Sequence, residues 1–112
     1  MGNSANTKNG DSVYVYTMKS TGEVVERIGI VSRKHRGATF MLVTFNGGQR
    51  MCISVKPGEV HNNVMWSREP MRNVYIMKMI DILLSRKDKY EERIASVNRR
   101  LKVLKASRYG TI

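Results

Sequence analysis

The feature that most constrains the fold of this chain is an uninterrupted stretch, residues 71–109, that contains neither glycine nor proline. Both residue types disfavour a helix interior, so their absence over this length predicts one long helix. Ser67 suits the N-cap position and Pro70 the first turn, so we expect the helix to occupy residues 67–108. A continuous helix over residues 69–107 would be about 58 Å long, so it must protrude, break or pair with another element.

Apolar residues recur along this stretch with the seven-residue period of a coiled coil. The resulting seam consists of Ile76, Ile80, Leu83, Tyr90, Ile94, Val97, Leu101 and Leu104. With Ile76 as a d position, Lys87 becomes a polar a position that weakens the contact and helps to fix its register. The pattern favours a homodimer, and the alternative is an intramolecular hairpin that turns at residues 85–89. Residues 71–84 are apolar on almost all sides, which predicts that they also pack against the preceding region.

The preceding region, residues 11–66, shows the alternation and the turn residues that are typical of short strands. We expect five strands, at residues 12–18, 24–31, 39–45, 50–55 and 60–66, with a hairpin turn at Asn46-Gly47-Gly48. Five short strands are too few for a two-sheet sandwich, so a small, strongly bent barrel is the economical arrangement. Residues 1–10 are expected to form a disordered leader and residues 109–112 a tail.

The strand region opens with GDSVYV at residues 10–15, has Gly22 in its first turn and continues with IGIV at residues 28–31. This pattern resembles the start of KOW-type and other SH3-like barrel domains, and the resemblance covers residues 10–60. It implies an α+β fold in which a small SH3-like five-stranded β-barrel precedes the long C-terminal helix. Members of the family bind RNA, DNA, ribosomes or RNA polymerase, and related barrels bind peptides, so the resemblance implies binding without naming the ligand.

The charge of the chain indicates the chemistry of its partner. The 112 residues carry 20 Lys and Arg against nine Asp and Glu, a formal net charge of +11. A field of this sign is most often directed at phosphates or at acidic protein surfaces. Its cations concentrate in one loop and near the end of the helix, where the predicted phosphate contacts are Arg33, Lys34, Arg36, Arg99, Arg100, Lys102 and Lys105. The alternatives are a merely solvated loop and cations that stabilise the helix C-terminus.

Aromatic residues on the predicted strands provide candidates for stacking on bases. Tyr14 and Tyr16 share the face of the first strand opposite two valines, so inward-facing valines would expose both rings. Phe40 and Phe45 are expected in the barrel core instead. Trp66, at the junction between the strands and the helix, is expected to be a packing anchor.

The sequence contains no recognisable catalytic or metal-binding arrangement. Cys52 alternates with apolar residues on a predicted strand, which is typical of a buried, inert thiol. One cysteine and two histidines, His35 and His61, are too few for the usual structural metal sites, and no spacing indicates a catalytic pair. We therefore expect no enzymatic activity, no cofactor, no metal and no small-molecule substrate.

These observations favour a non-enzymatic, homodimeric protein that contacts the phosphates of DNA or RNA with little sequence specificity. The alternative is a small adaptor or inhibitor, for example a phage-encoded regulator of its host, that binds an acidic surface of RNA polymerase or the ribosome. We expect a cytoplasmic or nucleoid-associated protein without membrane contact, because no apolar segment reaches spanning length and no secretory signal is recognisable.

Overall fold

The computed structural model describes residues 7–108 and has an α+β architecture, in which five antiparallel strands precede one long helix. The strands are β1 (Ser12–Met18), β2 (Val24–Arg33), β3 (Phe40–Phe45), β4 (Arg50–Ser54) and β5 (Met65–Ser67), and the helix is α1 (Arg72–Arg108). The predicted α+β class and the predicted order of five strands followed by one helix are confirmed, whereas the predicted barrel is present as a half-barrel.

The five strands form one curled sheet, a half-barrel, in the order β4-β3-β2-β1-β5. Strands β1 to β4 form a meander, and β5 returns to pair with β1, where Trp66 lies opposite Val15. A bulge between Val31 and Arg33 interrupts the pairing of β2 with β3, and bulges of this kind bend a strand and increase its twist. The curl of the sheet therefore coincides with this bulge, which lies at the end of β2 where the chain enters the basic loop at residues 33–37.

One face of the sheet carries the hydrophobic core. Successive strand residues point to opposite faces, so the core residues alternate along the strands. They are Val13, Val15, Val31, Met41, Val43, Phe45, Ile53, Val55 and Trp66. The indole Nε1 of Trp66 donates a hydrogen bond to the carbonyl oxygen of Ser54 at 2.6 Å, which joins β5 to the end of β4 across the open side of the half-barrel. The predictions for Trp66 and Phe45 are confirmed.

Gly29, in the middle of β2, lies on the core face and opposite Phe45 on β3. A Cβ atom at this position would lie 2.4 Å from Cγ1 of Val43 and 2.9 Å from Cε1 of Phe45. Both distances are too short for carbon atoms in contact. The strand therefore contains glycine here because neighbouring core side chains occupy the space that a side chain would need.

The opposite face of the sheet is partly covered by the first turns of α1. Tyr75 and Met79 are 0% and 2% exposed, and the ring of Tyr75 stacks on that of Tyr16 with the centroids 5.7 Å apart. The hydroxyl of Tyr16 accepts a hydrogen bond from the backbone N–H of Met71 at 2.7 Å, and that of Tyr75 donates one to the carbonyl of Asn63 at 2.5 Å. Burial raises the pKa of both tyrosine hydroxyls. These contacts fix the start of the helix on the sheet.

The helix begins at Arg72, later than the sequence predicts. Ser67 is not an N-cap: it belongs to β5, lies opposite Tyr14, and its hydroxyl donates to the carbonyl of Glu69. A residue that precedes proline is disfavoured in helical conformation, so Glu69 before Pro70 delays the helix further. The prediction therefore placed the helix start too early because Ser67 is used by the sheet.

The chain divides into two compact units, Met1–Met79 and Ile80–Ile112. The described part of the second unit is the remainder of α1. Residues 85–89 are helical, so the intramolecular hairpin considered as an alternative is wrong. Seven seam residues lie in this unit, Ile80, Leu83, Tyr90, Ile94, Val97, Leu101 and Leu104, and their exposed fractions range from 41% to 64%.

Candidate functional site

The loop after β2 carries the first predicted cluster of cations. Arg33 is the last residue of β2, and the chain re-enters the sheet at Phe40. Arg33 and Arg36 are exposed, and Gly37 has a φ of 77°, a left-handed conformation that favours glycine. The bulge in β2 and the turn at Gly37 together bring both guanidinium groups to the surface of one short loop.

Lys34, the third predicted cation of this loop, has a structural role as well. Its backbone N–H donates to Oδ1 of Asn9 at 2.8 Å, and its ammonium donates to the carbonyl of Thr7 at 3.1 Å. Residues 7–10, which the sequence predicts to belong to the leader, thus contact the loop after β2. Residues 1–6 lie outside the described part of the chain, as does the predicted tail.

The N-terminal segment, residues 7–10, adds a cation, Lys8, that sequence reasoning missed. Thr7 is buried, and its hydroxyl accepts a hydrogen bond from Nη2 of Arg68 at 2.7 Å. This contact brings Lys8 to a concave surface that it shares with residues 34–37. The one local signal was Asp11, whose carboxylate accepts the backbone N–H of Lys8 at 2.8 Å in the kind of turn that aspartate favours.

The second predicted cluster lies on α1. Arg99, Arg100, Lys102 and Lys105 are all exposed. At about 100° of rotation per residue, Arg100 and Lys105 flank the apolar seam, whereas Arg99 and Lys102 lie on the side away from it. No acidic residue follows Glu92 in the chain. The cations therefore surround the end of the helix instead of forming a single stripe.

The cations of both clusters are largely without acidic partners. Within residues 7–108, the side-chain ion pairs join Lys19 to Glu23 and Lys87 to Glu91. None of the six cations Arg33, Arg36, Arg99, Arg100, Lys102 and Lys105 takes part in either pair. Their charge is therefore directed at the solvent, and it is available to an anionic partner.

The structure separates the two tyrosines that were predicted to stack on bases. Tyr16 is 0% exposed beneath Tyr75, so the prediction of an exposed Tyr16 ring is wrong. Alternation placed it on the correct face of β1, but α1 covers that part of the face. Tyr14, on the same face, is half-buried and lies opposite Ile28, whose side chain is 59% exposed.

Phe40 has an exposed aromatic ring, although the sequence predicted a core position for it and exposed rings at Tyr14 and Tyr16. It is 46% exposed, and its ring centroid lies 5.4 Å from that of His61. The prediction of a core position is wrong because Met41 takes the inward position, and Phe40 points to the other face. The sequence does contain a signal for this exposure: Met41, Val43 and Phe45 alternate along β3 on the core face, which places Phe40 on the other face.

Cys52 is exposed, which contradicts the prediction of a buried thiol. It lies on the edge strand β4, opposite Leu42 and on the face away from the core. Its neighbours Met51 and Ile53 point to the core face, so the apolar neighbours that suggested burial belong to the opposite face of the strand.

No family model, curated protein or solved structure matches this chain. Among the described residues, no group of three or more His, Cys, Asp or Glu side chains is clustered as a metal ion would require. Within residues 7–108, no helix combines the length and the apolar character needed to cross a membrane.

Proposed function

We propose that this chain is a non-enzymatic nucleic-acid-binding protein that contacts phosphates through its basic loop (residues 33–37) and its basic helix surface (residues 99–105). One observation carries the proposal: six exposed Arg and Lys side chains in these two places have no acidic partner among the described residues. Cations without an acidic partner bind a polyanion favourably, because binding releases the counterions condensed on its phosphates and this release lowers the free energy of the complex.

The architecture supports weak sequence specificity. Sequence is read by side chains that enter a groove from a recognition element, whereas phosphate contacts position a protein without reading bases. The cations of this chain lie on a loop and around a helix end, which favours contact with the backbone. The curled sheet with the strand order β4-β3-β2-β1-β5 supports the proposal that the strand region is an SH3-like barrel.

Stacking on unpaired bases would add a preference for single strands. Phe40 lies shortly after the basic loop and keeps 46% of its surface exposed. Because it is only four residues from Arg36 in the chain, a single-stranded nucleic acid that contacts Arg36 should reach the Phe40 ring within a few nucleotides. Base–aromatic stacking contributes about 1–3 kcal/mol per base in single-strand binding. We therefore include Phe40, and the partly exposed Tyr14, in the proposed binding surface.

A salt titration of binding to a short duplex and to a single strand tests this function. If the six cations all contact phosphates, log K should fall against log salt with a slope of about −5 per protomer on duplex DNA. Arg36→Gln should make the slope shallower by about 0.9. Lys19→Gln is the matched control, because it removes one cation that is already paired with Glu23, and it should leave the slope unchanged. A slope near zero for the unmodified protein would refute the proposal.

A second candidate function, an adaptor that binds another protein, is favoured by one specific observation. Ile28 and Ile30 on β2 are 59% and 50% exposed, and they lie on the same face as Tyr14. Exposed apolar surface of this kind is typical of protein-binding sites. If this function is correct, a partner retained after nuclease treatment should be lost with Ile28→Ser/Ile30→Ser, whereas the salt slope on DNA should be unchanged.

The apolar seam supports a dimer in either case. We propose that α1 pairs with α1 of a second copy as a coiled coil, which would double the number of cations available to one ligand. Light scattering over a range of protein concentrations tests this proposal. A molecular mass of 12.8 kDa at every concentration would contradict it.

A further inference from the structure

The exposed part of the seam begins at Ile80. Ile76 is half-buried in the first unit, next to the fully buried Tyr75, so its surface is partly used there. From residue 80 to residue 107, no side chain is buried. The seam within this segment has Ile80, Lys87, Ile94 and Leu101 at a and Leu83, Tyr90, Val97 and Leu104 at d. A single helix gains its stability mainly from packing of its apolar face, which in this segment requires a second chain.

The flanking residues distinguish between the two possible orientations of that second chain. With Ile80 at a, the e positions are Leu84, Glu91, Asn98 and Lys105, and the g positions are Arg86, Arg93 and Arg100. Charges at e and g set the partner and the orientation of coiled coils. Between residues 84 and 105, all three g positions are basic, whereas the four e positions comprise one apolar residue, one acid, one amide and one base.

In a parallel pair, each g residue faces the e residue of the next heptad of the other copy. Arg86 then faces Glu91 of the second copy, and the symmetry of the pair repeats this attraction. Arg93 faces Asn98, which is neutral. Arg100 faces Lys105, so a like-charge contact remains near the C-terminal end of the seam, and symmetry repeats it as well.

In an antiparallel pair, g faces g and e faces e. With the segment fully overlapped, Arg93 faces its own counterpart, and Arg86 faces Arg100 twice. Glu91 also faces its counterpart on the other flank. Each of these contacts is between like charges and destabilises the pair, and no attractive contact replaces the one that is lost. Charge complementarity therefore favours the parallel orientation.

The core positions agree with a parallel dimer. β-Branched residues at a with Leu at d favour two parallel strands; Ile80, Leu83, Ile94 and Leu104 follow this rule, whereas Val97 at d and Leu101 at a depart from it. Lys87 is the polar a position, and its ammonium lies 3.9 Å from Oε1 of Glu91 on the same helix. The charge of Lys87 is thus directed outward to the e flank, where a lysine at a specifies register at a cost in stability.

We infer that two copies of this chain associate through residues 80–104 of α1 as a parallel, in-register coiled coil. The inference rests on the dimer proposed above and adds its orientation. It has a consequence for the ligand, because Arg99, Arg100, Lys102 and Lys105 of both copies then lie at the same end of the coiled coil. Their mutual repulsion weakens the dimer, and a polyanion relieves it. By linkage, nucleic acid tightens the dimer by the same factor as dimerisation tightens nucleic-acid binding.

Disulfide trapping measures the orientation directly. In a Cys52→Ser background, Leu83→Cys and Leu101→Cys are prepared separately and oxidised in a glutathione buffer without nucleic acid. A parallel, in-register pair should convert each variant to a covalent homodimer, and a mixture of the two should contain no 83–101 link. An antiparallel pair predicts the reverse, namely an 83–101 link in the mixture and little cross-linking of either variant alone. That result, or a dimer without either cross-link, would overturn the inference.

A charge addition provides a test that leaves the seam intact. Asn98→Glu places a carboxylate at e, opposite Arg93 of the second copy in the parallel arrangement. The two symmetric pairs should tighten dimerisation about threefold in sedimentation equilibrium. Ser85→Glu adds the same charge at f, away from the seam, and should leave dimerisation unchanged. If Asn98→Glu does not tighten the dimer more than Ser85→Glu does, the orientation is wrong.

The proposed phosphate binding and the inferred parallel coiled coil can be refuted independently of each other. Trapping and sedimentation without nucleic acid report on the coiled coil alone, whereas the slope of the salt titration reports on phosphate contacts per protomer, which a monomer can make as well. Adding a 20-mer duplex to the sedimentation experiment tests their coupling, and it should increase the dimer association constant. A protein that binds the duplex as an uncross-linkable monomer would retain the proposed function and lose the inference.

Discussion

Tyr75 is the residue whose removal should separate α1 from the sheet. Its side chain is 0% exposed, its ring stacks on Tyr16 with the centroids 5.7 Å apart, and its hydroxyl donates to the carbonyl of Asn63. Truncating a buried aromatic residue to alanine costs about 3–5 kcal/mol, because apolar contact is lost and a cavity remains. A domain of this size has a free energy of unfolding of about 5–15 kcal/mol, so Tyr75→Ala should remove a large share of it.

The free energy of unfolding is measured by urea denaturation, followed by circular dichroism at one fixed protein concentration. Tyr75→Phe keeps the ring and removes only the hydroxyl, which leaves the carbonyl of Asn63 without this donor, and it should cost about 1–3 kcal/mol. Val103→Ala is the control, because Val103 lies on the same helix, is 63% exposed and is outside the seam. It should change stability by less than about 0.5 kcal/mol. The reasoning is refuted if Tyr75→Ala is no more destabilising than the control.

Tyr16 and Tyr75 should also make the free energy of unfolding depend on pH in the alkaline range. Burial raises the pKa of Tyr16 and of Tyr75 in the folded protein, whereas in the unfolded chain each hydroxyl ionises near pH 10. Above pH 10, the unfolded chain therefore loses protons that the folded protein retains, and this difference favours unfolding. Their contribution to stability is complete below about pH 10 and falls as the pH rises through the folded pKa. Tyr75→Phe should make this alkaline decline shallower.

Three further predictions concern the sheet and its exposed ring. Gly29→Ala should cost about 1–3 kcal/mol by overpacking, and Val43→Ala should cost less in the Gly29→Ala background than in the unmodified protein, as measured by the urea midpoints of the two single variants and the double variant. Trp66→Phe should cost about 1 kcal/mol because the carbonyl of Ser54 loses its indole donor, and equal midpoints for both proteins would show that the hydrogen bond contributes nothing. Phe40→Ala should weaken binding to single-stranded DNA more than binding to duplex DNA in parallel gel-shift titrations, and an equal loss on both would exclude base stacking.

The strands and the helix could be predicted because their signals are local. Residues 12–18 and 40–45 alternate in hydrophobicity, and both segments are strands in the structure. Residues 72–108 lack glycine and proline, and they form one helix. Two of the predicted turns also agree with the structure, because Gly22 and Gly47 adopt positive φ where the chain reverses direction.

The errors came from residues whose surroundings depend on distant parts of the chain. Tyr16 is buried because Tyr75 covers it, and Ser67 is unavailable as an N-cap because it pairs with β1. Cys52 was predicted to be buried, but it lies on the outer face of an edge strand. Thr7 is buried and contacts Lys34 and Arg68, which lie far from it in the sequence. The contacts of Tyr16, Ser67 and Thr7 join residues that lie far apart in the sequence, so local patterns do not reveal them.

The same division applies to the candidate site. The sequence alone determined that two clusters of cations exist, that one follows β2 and the other lies on α1, and that an apolar seam runs along the same helix. Only the tertiary structure decided which cations lack acidic partners, that Lys34 also holds the N-terminal segment, and that Tyr16 is buried. The physical reason is that periodicity specifies which residues share a face, whereas exposure depends on what the rest of the chain packs against that face.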